Sequence, residues 1–143
     1  MEFFRNINRQ VASVIATPAL NSALILAARL LMAWIFIGAG LSKTGAGYAG
    51  TAGYMESVGL PGMLLPLVIL LEIGGGLALV LGFQTRLATL ALAIFSIVSA
   101  FIFHSGADPM QQIMFMKNLA MAGGLFAFTV FGAGRLSLDA ESR

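Results

Sequence analysis

The sequence predicts an all-α integral membrane protein: a four-helix bundle behind an N-terminal interfacial amphipathic helix, with both termini cytoplasmic. Three observations carry this reading. Hydrophobic residues fill 59% of the 143 positions and charged residues 10%, where soluble domains are about 25% charged. The few charges divide the chain into apolar stretches of roughly spanning length separated by short polar connections. Lys and Arg also gather at one side of those stretches.

The composition excludes several chemistries. Cysteine is absent and histidine occurs once, so a disulfide scaffold, a thiol catalyst, a Cys-based metal centre and a bis-histidine haem are all ruled out. No metal site is expected. A formal net charge of +2 is too small and scattered for a nucleic-acid surface. No nucleophile elbow, Walker loop, dinucleotide turn or HExxH motif occurs, and Gly74-Gly75-Gly76 lies in an apolar span where a phosphate cradle would not form.

Before the first span, Phe3, Phe4, Ile7, Val11, Val14 and Ile15 recur at helical spacing, with Arg5, Asn6, Asn8, Arg9, Gln10 and Ser13 on the other face. This pattern predicts an interfacial helix over 3–16. Only the uncharged runs 10–28 and 87–107 are long enough to span alone. Starting at 10 would run through Thr17-Pro18 and Asn21-Ser22 and strand the apolar run 30–42. Helix 1 is therefore placed at 22–42 from an Asn21/Ser22 N-cap, which puts Arg29 inside the membrane. Helix 2 follows at 63–82 around Glu72, helix 3 at 87–103, and helix 4 at 113–132 with Lys117 and Asn118 one turn inside.

The remaining loop, 44–62, is Gly-rich and contains both Tyr48 and Tyr54. Within it, 51–58 suits a short helix closed by Gly59 in the left-handed conformation. The tyrosines suit a headgroup anchor, with a substrate lid as the other reading. Placing the N-terminus inside puts Arg5, Arg9, Arg86, Arg135 and Arg143 on the cytoplasmic side and leaves Lys43 at an outer end, so the loop 44–62 is expected outside.

The intramembrane charges are the candidate functional residues. At 1.5 Å per residue, Lys43 and His104 fall near the outer interface, Lys117 roughly 7 Å deep, Glu72 roughly 15 Å and Arg29 roughly 20 Å. Arg29, Ala33, Phe36 and Gly40 share one face of helix 1, with Lys43 about 40° off it. Glu72, Gly75, Leu79 and Arg86 line up from helix 2, and Lys117, Met121, Gly124 and Phe128 from helix 4. Charged faces turn inward in lipid, so these faces are expected to meet. Arg29 is close enough in depth to bridge to Glu72, either as a structural ion pair or around a ligand. Lys43 and Lys117 show no obvious carboxylate partner. Lys43, Lys117, Asn118 and His104 together would form an outward-facing pocket rich in donors, suited to an anion or to quinone carbonyls, while Glu72 and His104 could move protons.

These residues resemble the DoxX family. The resemblance covers about 22–140 and is carried by Arg29-Leu30, Gly40-Leu41-Ser42-Lys43, Tyr54-Met55, Gly59-Leu60-Pro61, Glu72-Ile73, Gly82-Phe83-Gln84-Thr85-Arg86, His104, Lys117-Asn118 and Leu136-Ser137-Leu138-Asp139. It implies a small four-helix bacterial inner-membrane protein linked to quinone-dependent respiratory or sulfur-oxidising complexes, and in some members to oxidative-stress defence. Some relatives use cysteine chemistry, which this sequence cannot. The expectation is a quinone-linked redox accessory or small-molecule-binding subunit with no intrinsic cofactor, a quinone as ligand, and a membrane redox partner or a second copy of itself as company. A transporter of small polar or anionic solutes, working as an oligomer, and a structural or assembly subunit are the alternatives.

Overall fold

Six helices account for most of the chain in a computed structural model that describes residues 1–140. They are α1 (Glu2–Ile15), α2 (Pro18–Ser42), α3 (Gly47–Ser57), α4 (Leu65–Leu81), α5 (Thr85–Phe103) and α6 (Pro109–Phe131), with 3-10 turns at Gly62–Leu64 and Leu138–Ala140. Arg143, counted above among the cytoplasmic charges, lies outside the described residues. Four segments are long and apolar enough to cross a membrane: α2, α4 with its preceding turn, α5 and α6. The chain is an all-α integral membrane bundle, and the lipid bilayer is its environment.

Two spans start about a full turn earlier than the sequence reading placed them. α2 begins at Pro18, with Thr17 extended before it and no side-chain cap from Asn21 or Ser22. Proline is well suited to the first helical turn because its fixed φ is already helical and its missing N–H would have gone unbonded. The restriction that Pro18 places on Thr17 therefore marks the start of the span rather than a break in it. α6 begins at Pro109 by the same logic. The Asp108 carboxylate accepts hydrogen bonds from the N–H groups of Met110 at 3.0 Å and Gln111 at 3.3 Å, capping the helix. Lys117 consequently sits more than two turns inside α6, about 12 Å from its start.

Packing is arranged as two antiparallel pairs, α2 with α4 and α5 with α6, joined through α4 and α5. Lipid tails are as apolar as leucine, so the association of spans relies on close van der Waals contact. Glycine supplies it between α2 and α4 from both sides. A Cβ on Gly40 would stand 2.6 Å from Ile73 Cγ1, and one on Gly76 would stand 2.6 Å from Ile37 Cγ1. The core between the pairs consists of Ala33, Phe36, Leu79, Leu92, Ala93, Met121, Ala122 and Leu125, and so draws on all four spans. By contrast α1 buries none of its residues, and its Phe3, Phe4, Ile7, Val11, Val14 and Ile15 are all exposed.

The antiparallel arrangement gives the bundle two unlike ends. One holds the start of α2, the α4–α5 turn and the chain after α6, together with Arg86 and Arg135. The other holds Lys43, α3 and His104. Because the natural chain has no cysteine, single-cysteine variants can assign the sides. The charge bias predicts that Ala49→Cys in intact cells is labelled by a membrane-impermeant maleimide, and that Ser13→Cys is labelled only after permeabilisation. The reverse pattern would invert the topology.

Candidate functional site

The buried faces of α2 and α4 follow the sequence reading closely. The buried residues of α2 are Arg29, Ala33, Phe36 and Gly40, and those of α4 include Glu72, Gly75 and Leu79. Arg86 does not continue the α4 line. It opens α5, is exposed, and donates through Nη1 to the carbonyls of Thr129 and Val130 at the end of α6. On α6 the buried residues are Asn118, Met121, Ala122 and Leu125. Lys117 flanks that face instead of lying at its centre, because α6 packs mainly on α5.

Arg29 does not bridge to Glu72. The guanidinium, 1% exposed, is held by four backbone carbonyls instead. Nε donates to Leu79 at 2.7 Å and Nη2 to Val80 at 2.6 Å, while Nη1 donates to Ala133 at 3.0 Å and Leu136 at 2.6 Å. The last carbonyls of a helix have no intrahelical partner, and the two from α4 are among these. The other two come from the chain just beyond α6. One side chain of α2 thus ties together the ends of both helix pairs.

Next to this knot the terminal segment closes the α4–α5 turn. The Asp139 carboxylate accepts from the backbone N–H of Gln84 at 2.8 Å and of Thr85 at 2.9 Å, and the Asp139 N–H donates to the Gly82 carbonyl at 2.9 Å. Gln84 takes a positive φ of 46°, a conformation that costs an L-residue free energy and that both carboxylate bonds hold in place. Partial burial raises the Asp139 carboxyl, but the hydrogen bonds from Thr85 and Gln84 and the nearby Arg29 charge outweigh it and hold the group below the usual aspartate range. The sequence reading met Asp139 only within the family resemblance and gave it no role, since an N-cap lying 54 residues away leaves no local pattern.

At the opposite end, Glu72 has a different partner. Lys43 Nζ donates to its Oε1 at 2.9 Å and stands 2.9 Å from Oε2, and it also donates to the Ala39 carbonyl at 3.0 Å. The expectation that Lys43 has no carboxylate is thereby corrected. Its long stem reaches back along α2, one turn deeper than its Cα, while the charged end meets Glu72. Glu72 is 4% exposed, and the ion pair leaves the two groups neutral as a unit.

A cavity of about 470 Å³ opens beside this pair, between the α2–α4 and α5–α6 pairs. Phe36, Val68, Phe95 and Met121 contribute to its largely apolar wall, and Lys43, Glu72, Ser99, His104, Lys117 and Asn118 place polar atoms around it. Five of the six candidate residues therefore converge, and Arg29 alone lies elsewhere. Asn118 is 8% exposed, yet its side chain forms no hydrogen bond among the described residues, and neither does that of Ser99. His104 Nδ1 meets Gln111 Oε1 at 2.7 Å. With the amide oxygen accepting, Nδ1 carries the proton and Nε2 is left as an acceptor. Above the cavity, α3 contributes Thr51, Tyr54 and Met55, and Tyr54 Oη donates to the Phe103 carbonyl at 3.3 Å. Among the described residues no cluster of His, Asp and Glu could hold a metal ion.

Comparison with known proteins agrees with this architecture. The DoxX family model matches residues 24–105, more than half of the chain, from within α2 to just past His104. The chain belongs to the DoxX family. It is 51% identical over 116 residues to the inner membrane protein YqjF of Escherichia coli, covering 80% of this chain and 88% of that one. It is 33% identical over 129 residues to the inner membrane protein YphA of the same organism, covering 85% and 91%. No solved structure matches. With four spans and such relatives, this DoxX protein is a multi-pass inner-membrane protein.

The Arg29 knot generates two expectations. Arg29→Leu takes the guanidinium from four carbonyls. Leu79 keeps the Gly82 N–H at 3.3 Å, and the other three lose their donor, at about 1–3 kcal/mol each where buried. The thermal midpoint in detergent should therefore fall by several degrees, with Arg29→Lys intermediate. Asp139 has a depressed folded-state value, so its contribution is present above the usual aspartate range and is lost as pH falls through the folded value. Asp139→Asn should therefore be less stable than wild type at neutral pH, and the difference should shrink on acidification. A constant difference across pH would remove the charge from this account.

Proposed function

We propose that this DoxX protein is a small-molecule-binding membrane subunit that takes a quinone-like ligand in the cavity between its helix pairs and serves a membrane redox partner. The observation that supports it most is an apolar chamber lined also by polar groups, Lys117, Asn118 and Ser99, whose side chains form no hydrogen bond among the described residues. Ligand sites in proteins have this form: mostly apolar walls and a few placed polar atoms that fix orientation. Lys117, Asn118 and Ser99 can donate to ring oxygens, while Phe36, Phe95 and Met121 can pack on a flat ring. Glu72 and His104 are the groups available to exchange protons there. The electrons would come from the partner or the ligand itself, since the chain has no cysteine to carry them.

A second reading, export or uptake of a small anionic solute, draws on the same unpaired Lys117. It requires passage beyond the cavity, whereas the far end is closed by Arg29 and the terminal segment. An oligomer would have to supply the alternate opening.

Titration of the purified protein with a short-chain benzoquinone, followed by tryptophan quenching or calorimetry, tests the first reading. Lys117→Ala should weaken binding about tenfold, the loss of one good hydrogen bond. Ser99→Phe, which fills the chamber, should abolish binding while the thermal midpoint reports a folded bundle. Equal affinity in wild type and both folded variants would overturn the proposal. Solute flux above empty vesicles without quinone binding would favour the second reading.

A further inference from the structure

We infer that the cavity receives its ligand as an oxyanion, an apolar-bodied molecule with one ionised oxygen seated against Lys117 and Asn118. This rests on the reading of the cavity as a ligand site and adds the charge of the group it recognises. The charge left over after the chain has paired its own decides what the cavity can recognise. Lys43 and Glu72 line the cavity but cancel each other at 2.9 Å. His104 uses Nδ1 on Gln111. Asp108 lies at the start of α6 and is committed to capping it. Lys117 remains, with neither a hydrogen bond nor an ion pair among the described residues.

Its setting makes that absence informative. Lys117 lies about 12 Å along α6 from Pro109, and the same cavity is lined by Phe95, Val98 and Met121. Lys117 is exposed on the bundle at the cavity's edge, and an ammonium facing lipid at that depth is held at a cost unless it snorkels or an opposite charge joins it. One residue on, Asn118 is more than nine-tenths buried, and neither its amide nor the hydroxyl of Ser99 on the neighbouring helix forms a hydrogen bond among the described residues. Neutral carbonyl oxygens would satisfy the amide and hydroxyl and leave the positive charge unmatched. An ionised oxygen satisfies all three, and charge-assisted hydrogen bonds are the stronger kind. A fatty-acid carboxylate and an ionised hydroxyquinone share this chemistry, and their apolar bodies suit the chamber alike.

Binding of ionised hydroxynaphthoquinone and neutral methylnaphthoquinone, with decanoate and decanol as a second pair, tests the inference in wild type, Lys117→Gln and Glu72→Gln proteins. Glutamine keeps a hydrogen-bond donor and loses the charge. Wild type should prefer the anion of each pair it binds by about tenfold or more; Lys117→Gln should lose that preference while binding neutral methylnaphthoquinone within about twofold of wild type. Glu72→Gln should strengthen the preference, because it releases Lys43 as a second free ammonium in the same cavity. Equal affinity for anion and neutral probe in wild type would overturn the oxyanion and leave the quinone-like reading standing. A preference that survives Lys117→Gln would also overturn it, with Lys117 then extending to lipid phosphates. Binding of decanoate over decanol with no binding of either ring would uphold the oxyanion and overturn the quinone-like reading. Binding of none of the four would overturn both.

Discussion

A guanidinium buried among membrane-spanning helices must find oxygen acceptors within reach, and Arg29 finds four carbonyls at or just beyond helix ends, only one of which, that of Leu79, has a backbone donor besides. That exchange organises the bundle. Leu79 and Val80 end α4, and Ala133 and Leu136 follow α6, so the side chain closes two orphaned helix ends at once. Asp139, in the strand of chain that Arg29 grips, then caps α5. A single residue of α2 is thus bonded to α4 and to the segment beyond α6, and that segment is bonded to α5. The lipid supplies little net force between spans, so a junction of this kind can set the register of all four.

Closing one end so firmly determines what the other can be. Towards Arg29 the helices meet over Leu79, Leu92, Ala93 and Leu125, which are fully buried. Gly76 brings α2 and α4 together over the same stretch. Towards Lys43 the two pairs diverge, and the space between them becomes the cavity, covered by α3. The short connection through Gly59, at φ 85°, and Pro61 returns the chain from α3 to α4 with Met55 turned into the chamber. A rigid base below an open chamber is a sound way to hold polar groups in fixed positions.

Much of this was legible from residue spacing alone. The line Arg29, Ala33, Phe36, Gly40 is the buried face of α2, and Glu72, Gly75, Leu79 that of α4, because a charge or glycine repeated at helical period has few other places to go in lipid. Partners were less legible than faces. Depth counted from Cα positions set Lys43 too shallow for Glu72, since it ignored a flexible stem that reaches a full turn. Arg29 was matched to the nearest carboxylate in depth, although its real partners are backbone carbonyls and carry no side-chain signature. The Asp108-Pro109 start of α6 was a readable signal, an N-cap followed by a first-turn proline, and overlooking it misplaced Lys117 by about a turn. The Asp139 cap depends on the folded chain bringing distant segments together, and no window of sequence contains it.

The three buried or lining cations of the spans show how differently the same electrostatic problem can be met. Arg29 is matched by neutral dipoles, which suits a planar group with five donors spread over several directions. Lys43 is matched by a carboxylate, which suits a compact charge. For Lys117 neither is provided among the described residues, although a Glu or Asp lining the same cavity would have served as Glu72 serves Lys43. Ser99 of α5 lines the same cavity, a donor as well as an acceptor, and Asn118 beside Lys117 likewise forms no side-chain hydrogen bond among the described residues. A bundle that needed only stability would gain by replacing these with apolar side chains of similar volume, as buried polar groups are often neutral or costly to a fold. Their place in a chamber, rather than in the packed base, is what gives them a role outside the chain's own hydrogen bonding.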